Sequence, residues 1–360
     1  MNFMNGTIFR DWINLLVENK FRIAPKYWTR VVIITLISLR NSRLAKKDKK
    51  ILKNKLDNIK IHDPIFILGH WRSGTTLIHK LFSLDDQFAF PNLFQVSNPY
   101  TFLSGEEAVE KALGNLKAEK RPMDNMEVTF RDPGEDESAV SVLSQRSPLV
   151  SWGFTKNDKK YFNYHTFEKV DEKDYKRWES SFLYFLKKLT YRYNKPLVLK
   201  SPIHTGRIKI LLKLFPNARF IHVYRDPYTV FQSTRRLYKK MLPTTALQKI
   251  DFNEWDSFIL RNYKCMYDSF FRDKNLIPQN SFYEISFEEF EKNILKNFKN
   301  IYNKLNIPNF EIVEPKIREY ITTISNYKKN DHKPLEIDIK NKLRKEWAKN
   351  FQEWDDFKNN

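Results

Sequence analysis

The stretch IFILGHWRSGTTLIHKLF, residues 65 to 82, constrains the fold more than any other part of the chain. The apolar run 65–68 predicts a buried strand that ends at Gly69, and a second glycine, Gly74, follows four residues later. A helical apolar pattern then continues through Leu77, Ile78, Leu81 and Phe82. Nucleoside triphosphate-binding loops have this glycine spacing followed by lysine. Here Thr75 occupies the lysine position and the cation, Arg72, lies inside the loop, which indicates a different anionic ligand.

Further strands alternate with helices along the chain. The stretches PLVLKSP, ARFIHVYRDP and SFYEISF predict strands, and RIKILLKLF, YTVFQSTRRLYKKM and residues 175–191 predict helices. Such alternation is typical of an α/β fold with three layers, in which a central, mainly parallel sheet is flanked by helices.

The first 60 residues predict helices. Ile8, Phe9, Trp12, Ile13 and Leu16 recur at helical spacing, and a second apolar helix is predicted over 28–39. Two interpretations stay open, a hairpin packed on the core or a surface that touches a membrane or a greasy substrate. We therefore expect an N-terminal helical extension, 1–60, and a main domain, 61–360.

The beginning of the chain has no basic cluster followed by a long apolar core, so no secretion signal is predicted. The apolar run 31–39 is far shorter than the roughly 20 residues of a spanning helix. Cys265 is the only cysteine, which excludes a disulfide within the chain and argues against a zinc cluster. These features favour the reducing cytoplasm, with peripheral contact at a membrane through the N-terminal helices left open.

The formal net charge is +20, from 63 lysines and arginines against 43 acids. This excess is explained either by a lysine-rich background composition or by an anionic cofactor, membrane surface or nucleic acid. The lysines are dispersed and no nucleic-acid recognition module is visible, so a nucleic-acid partner is not expected.

The residues at the predicted strand ends suit an oxyanion. Backbone N–H groups over 69–76, at the beginning of a helix, form an anion cradle. Arg225 ends another predicted strand and can donate a bidentate fork, while Ser233, eight residues later, adds a hydroxyl. Lys200 ends a third strand, where ligands bind in open α/β sheets.

These motifs resemble the sulfotransferases that use 3′-phosphoadenosine 5′-phosphosulfate (PAPS), over about residues 65–290. The resemblance places Arg72 beside the bridging oxygen of the donor. It places the loop that begins at Gly69 around the 5′-phosphate, through Ser73, Gly74, Thr75 and Thr76. It implies a P-loop-like fold, adenosine 3′,5′-bisphosphate (PAP) as the product and no metal.

The same resemblance assigns residues further along the chain. Arg225 and Ser233 are expected to hold the 3′-phosphate, and Lys200, in a Lys-Ser-Pro run, is expected to face the transferring sulfate. Tyr283, in SFYEISF, is expected beside the adenine, with a plain core position as the alternative.

A general base must take the proton of the acceptor hydroxyl. Several family branches have a glutamate where this chain has Gln95, which cannot serve. The acidic run 135–137 is the next candidate, and within it Glu137 is preferred over Asp136; the alternative is that these acids only interact with a helix dipole. His204 is the second candidate base.

The aromatic stretches around 91–103 and 149–167 either belong to the core or line an acceptor pocket. Together with the apolar N-terminal helices they favour a hydrophobic alcohol, lipid or sterol-like, as the small-molecule acceptor. Two other functions stay open, a P-loop kinase of a small metabolite and a basic, non-catalytic protein that binds membranes or nucleic acid.

Overall fold

The computed structural model describes residues 3–113, 119–120, 127–325 and 334–354. The helices are α1 Phe9–Glu18, α2 Trp28–Leu52, α3 Thr75–Phe82, α4 Leu93–Ser97, α5 Phe102–Leu113, α6 Asp136–Ser144, α7 Asp158–Phe162, α8 Glu172–Tyr193, α9 Ile208–Leu214, α10 Pro227–Thr245, α11 Trp255–Asp273, α12 Phe287–Lys292, α13 Ile294–Lys304, α14 Phe310–Ile324, α15 Ile337–Glu346 and α16 Ala348–Glu353. The strands are β1 Ile65–Leu68, β2 Glu119–Lys120, β3 Glu127–Val128, β4 Val198–Lys200, β5 Arg219–Tyr224 and β6 Phe282–Ser286.

The central sheet has the strand order β4-β1-β5-β6, and every pair in it is parallel. In β1, Ile65 pairs with Val198 of β4 on one side and with Arg219 of β5 on the other. The two-residue strands β2 and β3 form a separate antiparallel pair. The predicted α/β fold with a central parallel sheet is thus confirmed, and all four predicted strands are present.

The chain divides into two compact units. The first unit comprises residues 1–62, 89–196 and 240–251; the second comprises 63–88, 197–239 and 252–360. The second unit contains the central sheet. The boundary predicted between residues 60 and 61 concerns sequence domains and stays a prediction.

The second unit is built around the sheet. Ile65, Ile67 and Ile221 are fully buried strand residues, and they belong to one cluster with side chains of α3, α13 and α14. Strands buried on both faces are read as continuous apolar runs, which is why the run at 65–68 predicted this strand correctly. This core fixes the carboxyl ends of the strands, where the charged residues lie.

In the first unit, α1 and α2 form the N-terminal hairpin, and the Trp12 indole donates to the Thr35 hydroxyl at 2.9 Å. The buried side chains of α1 are Trp12, Leu15 and Leu16, whereas Phe9 is exposed. The predicted apolar face of α1 is therefore only partly correct. Helix α2 extends to Leu52, well past the predicted end, because the basic segment after residue 40 continues the helix.

Several aromatic side chains of the stretch 149–167 lie in the core of the first unit. Phe154 and Tyr161 are fully buried, and the Phe167 ring contacts that of Trp178 with a centroid separation of 4.9 Å. For these side chains the core interpretation is confirmed.

Candidate functional site

The carboxyl edge of the central sheet gathers the predicted site residues of the second unit. Gly69 follows β1, Lys200 ends β4 and Arg225 follows β5. From β1 the chain continues to β4 on one side of the sheet, and from β5 it continues to β6 on the other. The crevice between the ends of β1 and β5 is therefore the topological switch point, where ligands bind in open parallel sheets.

The loop between β1 and α3 depends on its two glycines. Gly69 has φ 139°, and a Cβ there would lie 2.4 Å from the Val223 carbonyl oxygen. Gly74, the residue before α3, has φ 95°, and its Cβ would lie 2.0 Å from the Phe287 ring. Only glycine fits either position without displacing neighbours. This close packing fixes the loop that leads into α3.

Further hydrogen bonds fix the loop. The Gly69 N–H donates to the Thr205 hydroxyl at 2.8 Å, and the Ser73 hydroxyl donates to the His70 carbonyl at 2.8 Å. The His70 N–H donates to the Tyr267 hydroxyl at 3.3 Å. Ser73 is completely buried and used by the loop itself, so its side chain supports the loop conformation. Thr205 and Tyr267 were not predicted from the sequence, because their contacts are long-range.

Arg72 joins the two predicted phosphate motifs. Its Nε donates to the Ser233 hydroxyl of α10 at 2.8 Å, and its backbone has φ 73°, in the left-handed region. The Arg225 Nη1 donates to the Arg72 carbonyl oxygen at 3.3 Å. Two arginines and a serine thus meet in the second unit, although Arg72 and Ser233 are 161 residues apart in the chain.

Glu288, which was not predicted from the sequence, lies beside Arg225. The Arg225 Nε lies 3.7 Å from its carboxylate, outside hydrogen-bond distance, and the guanidinium lies 4.9 Å from the centre of the Phe287 ring. Burial raises the pKa of Glu288, although Arg225 lowers it. Burial lowers the pKa of Arg225, Glu288 raises it and Arg72 lowers it further. An acid directly after the fourth predicted strand was the available signal.

Lys200 is buried at the end of β4, where it pairs in register with Ile67. Burial and, after it, the positive charge of Lys200 lower the pKa of His79 to about 3. His204, in the turn after β4, is fully buried, with its ring edge-on to Phe66 at a centroid separation of 5.3 Å. Lys200 therefore lies at the sheet edge that the sequence predicted, and the imidazole of His204 packs against a strand side chain.

Tyr283 is half-buried in β6 and packs against the core of the second unit. Burial raises its pKa, while a hydrogen bond to Asn300 lowers it. These contacts fit the alternative of a core position at least as well as a position beside a base.

The acidic run lies in the first unit. Asp136 and Glu137 occupy the first turn of α6 and are both fully buried. Gln95 is also buried there, where it forms a capping box with Asn92 and donates to the Glu106 carboxylate at 3.0 Å. Gln95 is thus a structural residue in the described network.

Taken together, the switch-point crevice, the glycine loop and the two neighbouring arginines form a candidate oxyanion site on a parallel α/β sheet. The model of the Sulfotransferase family matches residues 64–311, so the chain belongs to that family and is a sulfotransferase enzyme. This membership sets aside both the kinase and the non-catalytic alternative.

Among its relatives is a protein named omega-hydroxy-beta-dihydromenaquinone-9 sulfotransferase Stf3, found in Mycobacterium bovis and Mycobacterium tuberculosis. It is 31% identical over 328 residues, which cover 91% of this chain and 84% of the relative. Two solved structures share the fold. Sulfotransferase STF9 from Mycobacterium avium has a TM-score of 0.69 at 18% identity, with 93% of this chain and 87% of that chain covered. Sulfotransferase STF1 from Mycobacterium tuberculosis has a TM-score of 0.66 at 14% identity, with 95% and 92% covered.

The described residues contain no group of three or more His, Cys, Asp and Glu side chains placed to hold a metal ion. Over the same residues, no helix is both long and apolar enough to cross a membrane.

Proposed function

We propose that the enzyme transfers a sulfuryl group from PAPS to the hydroxyl of a hydrophobic alcohol, lipid or sterol-like, and releases PAP. The observation that carries the proposal is the hydrogen bond between Arg72 and Ser233, with Arg225 on the Arg72 carbonyl. It brings two oxyanion-binding motifs together, as a donor with phosphates at both its 3′ and 5′ positions requires. A P-loop-like fold supports the same donor.

The residues fit such a donor chemically. The Arg225 Nε is buried without a hydrogen bond, and a guanidinium whose donors are not all used can bind an oxyanion in a fork. We assign Arg225 and Ser233 to the 3′-phosphate. The loop from Gly69, with Ser73, Gly74, Thr75 and Thr76, is assigned to the 5′-phosphate, and Tyr283 to the adenine; the sequence alone motivates this last assignment.

Sulfuryl transfer requires the acceptor oxygen, the sulfur and the bridging oxygen to be in line. The bond from the acceptor oxygen to sulfur forms while the bond from sulfur to the bridging oxygen breaks, and negative charge builds on the leaving phosphate. Arg72 and Lys200 are assigned to stabilise that charge, which preorganised cations do best in a site with little water. The chain needs no metal ion for these steps.

We assign Glu137 as the general base that takes the acceptor proton. Asp136 is the next candidate in the acidic run, and His204 is the alternative base. A carboxylate or an imidazole can accept the proton if the group reaches the hydroxyl in the ternary complex. The name of the Stf3 relative, a sulfotransferase of a hydroxylated menaquinone, supports a lipid alcohol as the acceptor here. The proposal includes peripheral contact of the N-terminal helices with a membrane surface, because a lipid acceptor resides there, and it includes no nucleic-acid partner.

The test of the donor is thermal unfolding with PAP, and with ATP and magnesium as the comparison. We expect PAP to raise the melting temperature in a concentration-dependent way, because it binds only the folded state, and ATP with magnesium to have no such effect. Sulfate-labelled PAPS, incubated with lipid alcohols, phenols and sugars, then identifies the acceptor class. Stabilisation by ATP with magnesium instead of PAP would contradict the proposed donor.

The role of Arg72 is tested by the turnover of Arg72→Ala. It removes a transition-state donor and should lower kcat about a hundred- to a thousandfold. Arg22→Ala, at an exposed arginine of the first unit, is the control and should retain the wild-type rate. A near-normal kcat for Arg72→Ala, measured with labelled PAPS, would remove Arg72 from the proposed mechanism.

A further inference from the structure

Helix α2 exposes a row of large apolar side chains along its first half. Trp28, Val32, Leu36 and Leu39 are exposed by 48%, 54%, 63% and 43%. Their spacing of four, four and three residues puts them on one face. With Ile33, exposed by 50%, they form a stripe, about 17 Å long from the rise of 1.5 Å per residue. We call this set the apolar stripe.

The opposite face of α2 is the packed one. It contains apolar Val31, Ile34 and Leu52 but also buried Ser38 and Asn41. Polar side chains are therefore inside while a tryptophan and a leucine are in solvent. Singly exposed apolar residues are common in proteins, but a continuous exposed stripe indicates an interaction surface.

The same exposed face continues as a basic segment. Arg43, Lys46, Lys47 and Lys50 follow Leu39 at helical spacing, and all are exposed. Over residues 9–53 the chain has twelve lysines and arginines against three acids. We call Arg43, Lys46, Lys47 and Lys50 the basic segment.

The three acids do not neutralise this surface. Asp11 accepts a hydrogen bond from the Tyr100 hydroxyl, and Glu18 pairs with Arg146 at 3.1 Å. Asp48 is fully buried with Lys188. The exposed face of α2 is thus apolar in its first half and positively charged in its second half.

We propose that this face docks on an anionic lipid bilayer, with the apolar stripe at the boundary between headgroups and acyl chains and the basic segment on the headgroup phosphates. A second copy of the chain would face it with the same positive charge. Nucleic acid would leave the apolar stripe in water. A lipid surface with negative headgroups satisfies both halves, and it is how amphipathic interfacial helices bind. Val17 and Phe21, exposed at the end of α1 and just after it, add apolar area to the hairpin.

The docking deepens the membrane contact included in the proposed function, because it names the surface and the lipid, and it rests on the proposed sulfuryl transfer only for its consequence, access to an acceptor dissolved in the membrane. Binding is measured without turnover, and donor binding is measured in the same proteins with PAP. Vesicle binding without stabilisation by PAP would contradict the proposed donor and leave the docking in place. Stabilisation by PAP without vesicle binding would contradict the membrane contact and leave the sulfuryl transfer in place.

The experiment is cosedimentation of the full chain with vesicles. One preparation is phosphatidylcholine, and in the other part of it is replaced by phosphatidylglycerol. We expect binding to the anionic vesicles that weakens with salt, and little binding to the neutral ones. Val32→Ser with Leu36→Ser should weaken binding about tenfold or more, because it removes inserted apolar area. The matched control is Ile312→Ser, at an apolar side chain that is 68% exposed on the second unit.

The charge half is tested by Lys46→Gln with Lys50→Gln, which should weaken binding about fivefold per charge removed. Lys169→Gln with Lys173→Gln, at exposed lysines near the beginning of α8, is the charge control and should bind like wild type. All substitutions are at exposed positions, where effects on folding are small, and thermal unfolding checks this.

The proposal is overturned if wild type does not bind anionic vesicles, or if both pairs of variants bind like their controls. A dimer in sedimentation equilibrium that Val32→Ser with Leu36→Ser abolishes, without vesicle binding by wild type, would assign the surface to a second copy of the chain instead.

Discussion

Two cations in the molecule, Lys188 of the first unit and Arg225 of the second, show how differently a protein can treat a buried positive charge. The Lys188 Nζ donates to Asp48 at 2.8 Å and to the Pro99 carbonyl at 2.7 Å, and it lies 4.4 Å from the centre of the Phe102 ring. The Arg225 guanidinium has a 3.3 Å hydrogen bond to a carbonyl and a carboxylate at 3.7 Å.

The two acids beside these cations, Asp48 and Glu288, also differ in their own hydrogen bonds. Asp48 also accepts from the N–H groups of Leu103 and Ser104, so the lysine, the acid and the beginning of α5 form one closed network. Glu288 accepts only weakly, at 3.4 Å, from the Asp226 N–H. Removing one partner from a buried charge pair with short hydrogen bonds destabilises the fold, whereas a charge with donors left over suits an incoming oxyanion.

The largest predicted effect is on the free energy of unfolding, and it is expected at Lys188, whose hydrogen-bond network is closed. Lys188→Met should lower the free energy of unfolding by about 3–5 kcal/mol, because it leaves the buried Asp48 charge uncompensated. Urea unfolding measures this. Lys176→Met, on the same helix in an exposed pair with Glu172, is the control and should cost less than about 1 kcal/mol.

A second variant separates charge from packing. Adding Asp48→Asn to Lys188→Met removes the unpaired charge but keeps an amide oxygen for the backbone N–H groups of α5. It should recover part of the lost free energy of unfolding. No recovery would mean that the shape of the lysine, not its pairing, stabilises this region.

Glu137 is either the general base or a structural acid of the first unit, and it is fully buried at the beginning of α6. If it takes the acceptor proton, Glu137→Gln should lower the single-turnover rate roughly a hundredfold, since glutamine keeps the shape but accepts no proton. His204→Asn is the parallel variant. PAP binding is measured separately in both.

The two variants together decide which residue is the general base. A wild-type transfer rate in Glu137→Gln, with intact fold and PAP affinity, would make Glu137 a helix-start acid. A loss in His204→Asn alone, with PAP binding retained, would transfer the role of base to the imidazole.

Arg225→Ala should weaken PAP binding about ten- to a hundredfold, the usual worth of charge-assisted hydrogen bonds. An analogue without the 3′-phosphate should lose almost nothing, because the fork would have no partner to lose. Ser233→Ala should follow the same pattern with a smaller loss. Equal losses for both ligands, measured by calorimetry, would mean that Arg225 only holds the Arg72 carbonyl in place.

The sequence predicted the second unit far better than the first. The run at 65–68 and its glycines specify strand, turn and helix locally, so β1 was found with its bounds and the helix after the loop, α3, was found at its position. Contacts made at long range were not predictable. Glu288 meets Arg225 only because β5 and β6 are neighbours, a pairing that no local pattern encodes.

The apolar pattern predicted the helices of the first unit less well, for a physical reason. The buried face of helix α2 mixes apolar and polar side chains, and the exposed face of its first half is apolar, so the apolar run at its beginning does not mark the side that packs. Its end at Leu52 was missed because lysines are good helix formers without an apolar period. Which acid meets the acceptor depends on tertiary placement, and the sequence could only rank the candidates.

The smallest expected effect concerns a half-buried network of the first unit, intermediate between the two cations. Burial alone raises the pKa of Glu18, but Arg146 and Lys160 outweigh it, and its pKa lies below the ordinary value. Burial likewise raises the pKa of Asp174, but hydrogen bonds from Tyr164 and Arg146 lower it overall. For an acid with a lowered folded-state pKa, the stabilisation is present above the unfolded-state pKa of about 4 and is lost as the pH falls through the folded-state value.

Glu18→Gln should therefore cost about 1 kcal/mol in the free energy of unfolding at about pH 7. That difference from wild type should shrink as the pH falls below about 4, because the wild-type carboxylate becomes protonated as well. Urea unfolding over this pH range measures it, with Glu172→Gln in the exposed pair as the control. A difference that stays constant into acid would show that Glu18 stabilises α1 through packing and neutral hydrogen bonds, and the network would then resemble neither the closed pair at Lys188 nor the open one at Arg225.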